Sequence, residues 1–353
     1  MFVRPLNHAW RLRCIALPGA TLVLIVAACD SRDDGPSARP IVVYCSVDEA
    51  FARPLLAEFE KSSGLRVRPK FDTEAGKTTG LVESLRAEKR RPVADVWWSS
   101  EIFGTIELAR DGVLVPFRPA GVDDIPAQFR DPGSLWTAFA ARGRVVAYDP
   151  RRTAPNDLPK RWADFADPRF KGRVAMANPA FGTTRGHMAA MLAAWGEPAF
   201  RGYLEALGRN EAKLAGGNAQ TVFMVARGQA DFGWTDTDDV LVAQQRGDSL
   251  AMIYPDMDSP DGGALPGTLW IPNSAGLVAG GPNPDAGRRL LEFIVSPLVE
   301  EKLSQSTSGN VPVRSALRAK LSLDAPPCVD IDFAESAAAL EKSDALCREI
   351  LIR

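Results

Sequence analysis

Short apolar runs alternate with longer stretches of helical periodicity in the part of the chain that follows residue 40. Three apolar runs have the length and composition of strands: Pro40–Cys45 (PIVVYC), Leu65–Phe71 (LRVRPKF) and Asp95–Trp98 (DVWW). Three other stretches repeat apolar residues at helical spacing and predict helices: Ala50–Lys61, Thr78–Arg90 and Ile102–Arg110. Strands that alternate with helices in this way indicate a parallel sheet with helices on both faces.

The same pattern starts again after Gly143. Strands are predicted at Arg144–Pro150 and Gly172–Pro179, and a strand or crossing segment at Gly267–Gly280. Helices are predicted at Thr184–Ala194, Pro198–Leu207, Ala219–Arg227, Pro284–Pro297 and Leu298–Leu303. The chain therefore carries a second set of elements, long enough for a second α/β lobe.

Two lobes joined by two extended crossings account for this order. We expect residues 40–143 and 270–353 to form lobe 1 and residues 144–269 to form lobe 2. Lobes of this kind close on a ligand by hinge bending. In open parallel sheets the ligand lies beyond the carboxyl ends of the strands. The loops that follow the predicted strands are therefore the candidate ligand-binding loops.

The first 39 residues have the pattern of an export signal followed by a tether. Three arginines precede an apolar run, Cys14–Ala28, that is shorter than the roughly 20 residues of a membrane span. The run ends in Val-Ala-Ala-Cys, which resembles the cleavage site of bacterial lipoproteins, and the next aspartate resembles an inner-membrane retention signal. We expect a signal peptide at 1–28, lipid on Cys29 and a flexible tether at 29–39. The protein is then periplasmic and anchored to the inner membrane; an ordinary signal peptide with an incidental cysteine is the alternative.

Charge and residue usage argue against several classes of function. Lysine and arginine number 42 against 44 aspartates and glutamates, a net charge of −2 without a basic stripe, so we expect no nucleic-acid partner. His187 is the one histidine beyond the signal, which excludes a multi-histidine zinc site. The sequence has no GxSxG or HExxH motif, so an enzyme is disfavoured.

Three cysteines follow the predicted tether. In an oxidising periplasm we expect Cys328 and Cys347 to form a disulfide that holds the C-terminal tail, although sequence alone does not determine the pairing. Cys45 ends an apolar strand and is expected to be a small buried residue.

The loop after the second predicted strand, residues 72–80 (DTEAGKTTG), has a composition suited to a ligand. Its candidate ligand-binding residues are Thr73, Glu74, Lys77 and Thr78. The N-terminal N–H groups of the following helix attract an anion, and Lys77 adds positive charge. A solvated capping loop is the alternative. An ATP-binding loop is not expected, because Phe71 stands where the first glycine of that motif belongs.

Two later loops also place polar residues at helix starts. In NPAFGTTRGHMAA, Thr183 or Thr184 is a suitable N-cap that aims backbone donors at the cleft, whereas His187 is expected to be packed and hydrogen-bonded. Asn218 begins another helix after two glycines. Glu101 follows the strand Asp95–Trp98 and completes this set of candidates.

The stretch WTDTDDV, residues 234–240, combines three carboxylates with two hydroxyls after an apolar run. Asp236 as N-cap with Asp239 three residues later predicts a capping-box-like start of a helix. Thr237 and Asp238 then remain for a ligand. Their oxygens suit Ca²⁺, Mg²⁺ or iron(III), and they also accept hydrogen bonds from an ammonium group or sugar hydroxyls.

Five segments together resemble the ferric-type solute-binding proteins of ABC importers. They begin IVVYCSVDEAF, PVADVWWSSEIF, DPRFKGRVAMANP, GTLWIPNSAGLVAGG and SGNVPVR, and they span residues 40 to 314 in the order of that family. The resemblance implies a type II periplasmic-binding fold of two α/β lobes, a cleft ligand and delivery to an inner-membrane permease with its ATPase. It implies a monomer without a cofactor, with iron(III) as cargo where iron is bound.

The metal ligands of that family carry over only in part. Asp48 stands where the family has a histidine, and Thr79, with Glu74 nearby, stands where it has a glutamate. The adjacent tyrosine pair falls at Thr237 and Asp238, so phenolate ligation of iron is absent there. The ligand is therefore either iron(III), with or without an anion, or a small polar or anionic organic solute. A sensory binding protein for a membrane receptor and a carboxylate-dependent periplasmic hydrolase are the alternatives.

Overall fold

Eight of the ten strands in the part of the chain that the structure describes follow one path, and the other two pair beside it. The structure is a computed structural model and describes residues 39–72, 76, 78–323 and 325–352. The strands are β1 (Ile41–Cys45), β2 (Val67–Phe71), β3 (Val96–Ser99), β4 (Leu114–Val115), β5 (Thr137–Tyr148), β6 (Val174–Ala177), β7 (Lys213–Ala215), β8 (Phe232–Asp236), β9 (Ala251–Ile253) and β10 (Trp270–Val278). Their order is β2-β1-β3-β10-β5-β8-β6-β7, with β4 beside β10 and β9 beside β5.

Helices connect these strands, and nearly all of the helices predicted from the sequence are present. They are α1 (Glu49–Ser63), α2 (Thr79–Ala87), α3 (Phe103–Arg110), α4 (Gly182–Trp195), α5 (Glu197–Arg209), α6 (Asn218–Ala226), α7 (Thr237–Gln245), α8 (Pro284–Ile294), α9 (Pro297–Gln305), α10 (Ser315–Lys320), α11 (Phe333–Ala338) and α12 (Leu340–Ile350). Most begin within two or three residues of the predicted bounds, because their apolar residues recur at the spacing of a helix. The predicted α/β fold class with helices around the sheet is confirmed.

The long strands β5 and β10 join two parallel groups of strands. In the first group β1 pairs in parallel with β2 and β3, and in the second β6 pairs in parallel with β7 and β8. The first part of β5 runs antiparallel to β10 up to Gly143, and its last part runs antiparallel to β8 from Arg144 onward. Both predicted crossings therefore lie in or beside these two strands. The limits of the two lobes stay a prediction.

The C-terminal helices α11 and α12 pack against helices from both halves of the fold. α11 contacts α3 and α4, and α12 contacts α4 and α5. Cys347 is buried on α12, whereas Cys328 is exposed beside the bridge that pairs it with Thr268. Both are free thiols, so the predicted Cys328–Cys347 disulfide is wrong. Apolar packing of α11 and α12, rather than a covalent clasp, holds this segment.

No helix in the described ranges is long and apolar enough to cross a membrane. The predicted signal peptide, the lipidation of Cys29 and most of the tether concern residues 1–38, which lie outside the described residues.

Candidate functional site

A cavity lies at the carboxyl ends of the strands, where the sequence predicts the ligand. Its cavity volume is about 30 Å³, and the surrounding empty space of about 480 Å³ includes open solvent. Six strands deliver residues to its wall, from the loops after β1, β3, β6, β7 and β8 and from the middle of β5. These residues are Asp48, Ser100, Arg142, Ala177, Asn178, Phe181, Gly182, Thr183, Thr184, Gly216, Gly217, Asn218, Asp236, Asp238 and Asp239. The candidates Asp48, Thr183, Thr184, Asn218, Asp236 and Asp238 are thus brought together.

Arg144 of β5 lies behind the wall of the cavity and binds several of the residues that form or support it. Its Nη1 donates to Oδ1 of Asp236 at 2.7 Å, and its side chain is completely buried. Nη1 and Nη2 also donate to the hydroxyls of Thr183 and Thr184, each at 3.2 Å, and Nε donates to Nδ1 of His187. A buried charge is tolerated when it is paired and hydrogen-bonded in this way. Arg144 therefore fixes the start of α4 to the end of β8.

Asp236 is the common acceptor of this network. Besides Arg144, the hydroxyl of Thr183 donates to its Oδ2 at 2.6 Å and the amide of Asn218 donates to the same oxygen at 2.8 Å. Three helix starts, those of α4, α6 and α7, are joined through this one carboxylate.

The predicted cap at Thr183 or Thr184 is wrong, whereas Asp236 takes its predicted cap position without the predicted capping box. α4 begins at Gly182 with Phe181 at its cap position, so neither Thr183 nor Thr184 caps it, and both hydroxyls bind Arg144 instead. Asp236 does occupy the cap position of α7, but its side chain makes no capping hydrogen bond because it is held by Arg144. Asp239 accepts a hydrogen bond from Thr235 rather than completing a capping box.

Arg142 places a second buried guanidinium in the cavity wall. Its Nη1 donates to Oδ2 of Asp238 at 2.8 Å, and both side chains are buried. Burial disfavours its charged form, but the carboxylates of Asp238, Asp236, Asp48 and Asp239 outweigh that effect and raise the pKa of Arg142. Its Nε is buried and has no hydrogen-bond partner among the described residues. Arg142 therefore lines the cavity with a guanidinium group whose donor capacity is only partly used.

Three of the candidate residues lie behind the cavity rather than in its wall. Glu101 accepts hydrogen bonds from the N–H groups of Phe103 and Gly104, and its burial raises its pKa to about 7 against those favourable contacts. Thr78 donates to the hydroxyl of Ser46, and Thr237 accepts from the N–H of Gly143. Their roles are to hold helix starts and the β5 crossing. Thr73, Glu74 and Lys77 lie outside the described residues.

His187 is packed in the core, as expected. It is completely buried between the rings of Trp162 and Trp234, and burial followed by the charge of Arg144 lowers its pKa well below the usual value. It is neutral at physiological pH and has no place in the cavity wall.

The two arginines of β5 are the main functional residues that the sequence interpretation missed. They stand in AARGRVV, a segment that is otherwise apolar, and all of it is buried. A charged residue in a buried strand needs a partner of opposite charge. The acids of WTDTDDV are those partners, a relationship that spans more than ninety residues of sequence.

Carboxylates are the groups of the site that are suited to a metal ion. Asp236, Asp238 and Asp239 each bring one oxygen within 4.8 Å of the others. Two of the three already pair with Arg144 and Arg142. None of the tyrosines of the described residues lines the cavity: Tyr44 binds Glu88, Tyr203 binds the Trp162 carbonyl and Tyr254 stacks on Trp270.

The chain is similar to known binding proteins in sequence. A family model described as "Bacterial extracellular solute-binding protein" matches residues 41–306. Iron uptake protein A1 of Synechocystis is 23% identical over 298 residues, which cover 80% of this chain and 80% of that protein. The Fe(3+)-binding periplasmic protein of Serratia marcescens is 28% identical over 62% of each chain.

Solved structures agree with the fold. The ferric binding protein from Campylobacter jejuni superposes with a TM-score of 0.78 at 20% identity, over 88% of this chain and 99% of that one. The periplasmic binding protein AfuA from Actinobacillus pleuropneumoniae, with exogenous fructose-6-phosphate bound, gives 0.73 at 19% identity, over 89% and 98%. These likenesses confirm the predicted type II periplasmic-binding fold.

Proposed function

The chain belongs to the family of bacterial extracellular solute-binding proteins, and we propose that it serves an ABC importer for a small polar organic solute that carries an anionic group. The observation that carries this proposal is Arg142, whose side chain lines the cavity and whose buried Nε has no hydrogen-bond partner among the described residues. Its free donor capacity suits a phosphate, phosphonate or carboxylate oxygen.

Helix starts around the cavity support an anionic group as well. α4 begins at Gly182 and α6 at Asn218, and both residues line the cavity. The first N–H groups of a helix have no partner within it and carry partial positive charge. Together with Arg142 they make one side of the cavity a donor surface.

Hinge closure would complete the site. β5 and β10 are the two long strands that lie between the two groups, β10 beside β3 and β5 beside β8, and the wall residues come from both groups. We propose that the lobes close about these strands on the ligand and that the closed form docks on an inner-membrane permease with its ATPase. The signal peptide, lipid on Cys29 and monomeric state belong to the same proposal. A sensory role with a membrane receptor uses the same closure and is distinguished by its partner.

Iron(III) is the second candidate cargo. The close carboxylates of Asp236, Asp238 and Asp239 favour it, as do relatives named as iron uptake or Fe(3+)-binding proteins. Against it, a metal ion would have to compete with Arg142 and Arg144 for two of those carboxylates. An organic solute is therefore the preferred candidate for the cargo.

A thermal-shift screen tests the proposal. Inorganic phosphate, small phosphate esters, phosphonates, carboxylates and ferric citrate are added separately, and a ligand at a hundredfold excess over its dissociation constant stabilises by about 2.7 kcal/mol. We expect an anionic organic solute to raise the melting temperature of the wild type and of Arg209→Gln, an exposed control, but not of Arg142→Gln. Circular dichroism checks that each variant is folded. A shift with ferric citrate alone, or an organic solute that binds Arg142→Gln equally well, contradicts it.

A further inference from the structure

A second cavity adjoins the candidate site and offers much more room than the first. The first is called the inner cavity below. The second, the outer cavity, shares Asp48, Asp238 and Asp239 with it. The outer cavity has a volume of about 340 Å³, against about 30 Å³ for the inner one. Since one water molecule needs about 10–15 Å³, the inner cavity has room for the oxygens of one anionic group. The rest of an organic solute then has to lie in the adjoining space.

The wall of the outer cavity is mainly apolar. Seven of its thirteen residues are apolar, and all seven lie on three helices, among them Phe51 on α1, Val222 and Phe223 on α6 and Val242 on α7. α1 follows β1, whereas α6 and α7 follow strands of the other group, so both groups contribute. Sites for small organic molecules commonly have about 300–1,000 Å³ and an apolar lining in which a few polar groups fix the orientation. The outer cavity has these properties.

Phe223 is an exposed aromatic residue in this wall. Its side chain is 51% exposed, more than that of Val93, Leu298 or Leu323, the other exposed large apolar residues of the described part of the chain. It belongs to neither of the two apolar cores there. Packing within the protein therefore does not account for a phenylalanine at this position. An apolar group bound in the outer cavity would remove part of its ring from water.

We infer that the solute has an apolar part, a ring or a short alkyl chain, which lies in the outer cavity against Phe51 and Phe223 while the anionic group lies in the inner cavity at Arg142. This inference rests on the proposed function of the same site and limits the polarity of the solute to its anionic group. The two cavities share wall residues, so one solute can occupy both. A tail rich in hydroxyl groups would lose hydrogen bonds to water on facing these apolar side chains.

Pairs of probes that share an anionic group test the apolar part. The full chain is titrated calorimetrically with phenyl phosphate against methyl phosphate, with phenylphosphonate against methylphosphonate and with benzoate against acetate. We expect the phenyl member of at least one pair to bind about tenfold or more tightly than its partner, because even one methylene in an apolar pocket changes affinity by about tenfold or more. Propyl phosphate is compared with glycerol 3-phosphate, which carries two additional hydroxyl groups. We expect propyl phosphate to bind more tightly.

Variants locate the apolar part. Phe51→Ala and Phe223→Ala should each reduce the phenyl-to-methyl ratio of affinities about fivefold or more, because each removes a ring that contacts the phenyl group and not the phosphate. Arg142→Gln should weaken both members of a pair. Leu298→Ala, which truncates an exposed apolar residue of α9 outside both cavities, is the matched control and should leave the ratio unchanged. Circular dichroism checks that each variant is folded.

The outcomes separate this inference from the proposed function. Equal binding of the phenyl and methyl members overturns the inference, as does tighter binding of glycerol 3-phosphate than of propyl phosphate. A phenyl-to-methyl ratio that survives in both phenylalanine variants also overturns it and leaves the exposed ring of Phe223 for a contact with the permease. In each of these cases the proposed function stands when the probes bind through Arg142. If no organic probe binds and ferric citrate alone does, both the inference and the proposed function are refuted.

Discussion

Nη1 of Arg144 donates to Oδ1 of Asp236 at 2.7 Å, with both side chains shut off from solvent. The pair joins the crossing strand β5 to the end of β8. Thr183 and Asn218 bind the same carboxylate, so the starts of three helices depend on it. The pair is therefore a structural support for the cavity rather than a free set of ligands.

Removing Asp236 should strongly destabilise the protein. Asp236→Ala leaves the guanidinium of Arg144 buried without its carboxylate, and breaking a buried pair in this way costs about 3–5 kcal/mol. Asp285→Ala, which removes an exposed partner of Arg288, should cost less than about 1 kcal/mol. Urea unfolding of both variants measures the difference, and equal midpoints would contradict the role of the pair.

Gly186 lets α4 approach α3 closely. A Cβ at this position would lie 2.1 Å from the ring of Phe103, which is itself buried. Gly186→Ala should therefore reduce the free energy of unfolding by about 1–3 kcal/mol, because the ring has no space to move into. Gly202→Ala is the matched control on the exposed side of α5, where a Cβ meets no atom within 4 Å. That change should be neutral or stabilising by up to about 1 kcal/mol. Thermal unfolding of Gly186→Ala and Gly202→Ala tests this prediction.

Glu101 should make stability depend on pH. Burial raises its pKa in the folded protein to about 7 from a usual value of 4.5. Between these values the folded protein holds a proton that the unfolded chain has released, so the free energy of unfolding falls as pH rises from 4.5 to 7. The loss amounts to about 3 kcal/mol. In Glu101→Gln that contribution should be absent, and parallel pH profiles of variant and wild type would show that Glu101 does not titrate as described.

Ferric citrate should not produce a phenolate-to-iron absorption band. The tyrosines of the described residues lie outside the cavity wall, and the sequence resemblance predicts Thr237 and Asp238 at the place of the tyrosine pair of the ferric-type family. A visible-absorption titration of the purified protein checks this. Appearance of the band, and its loss on changing one of Tyr44, Tyr148, Tyr203 or Tyr254 to Phe, would overturn it.

The thiols should differ in reactivity. Cys328 is exposed as a residue, although partial burial of its thiol raises its pKa, whereas Cys45 and Cys347 are buried and burial raises the pKa of Cys347 to about 12. Since the thiolate is the reactive form, a chromogenic disulfide reagent should modify Cys328 rapidly and the other two only on unfolding. Cys328→Ser should remove the rapid phase. A native protein with neither Cys328 nor Cys347 reactive, even after denaturation without reductant, would reveal the disulfide that the structure lacks.

Local patterns were enough to predict most of the fold. Apolar periodicity located β1 to β3, α1 to α6, α8 and α9, because the face that each element buries repeats at the spacing of that element. It placed the start of the crossing strand at Arg144, whereas β5 begins at Thr137. The segment between them is rich in alanine and lacks the β-branched residues that mark a strand.

The candidate site was predicted as a set of loops but not as a set of contacts. The rule that ligands lie at the carboxyl ends of strands selected Asp48, Thr183, Asn218 and Asp238, and the cavity contains them. Glu101 and Thr78 also follow predicted strands, but they lie behind the wall. The direction of a side chain depends on its neighbours in space, which the rule does not include.

The sequence by itself determined the α/β fold, the order of most of the elements and most of the loops that face the cavity, because periodicity and strand-end position are local properties. The tertiary structure alone decided how the acids of WTDTDDV are used. Pairing of β5 with β8 brings Arg142 and Arg144 beside Asp238 and Asp236, so two carboxylates become partners of buried guanidinium groups. Such a pairing is set by strand register between distant segments, which no local pattern encodes.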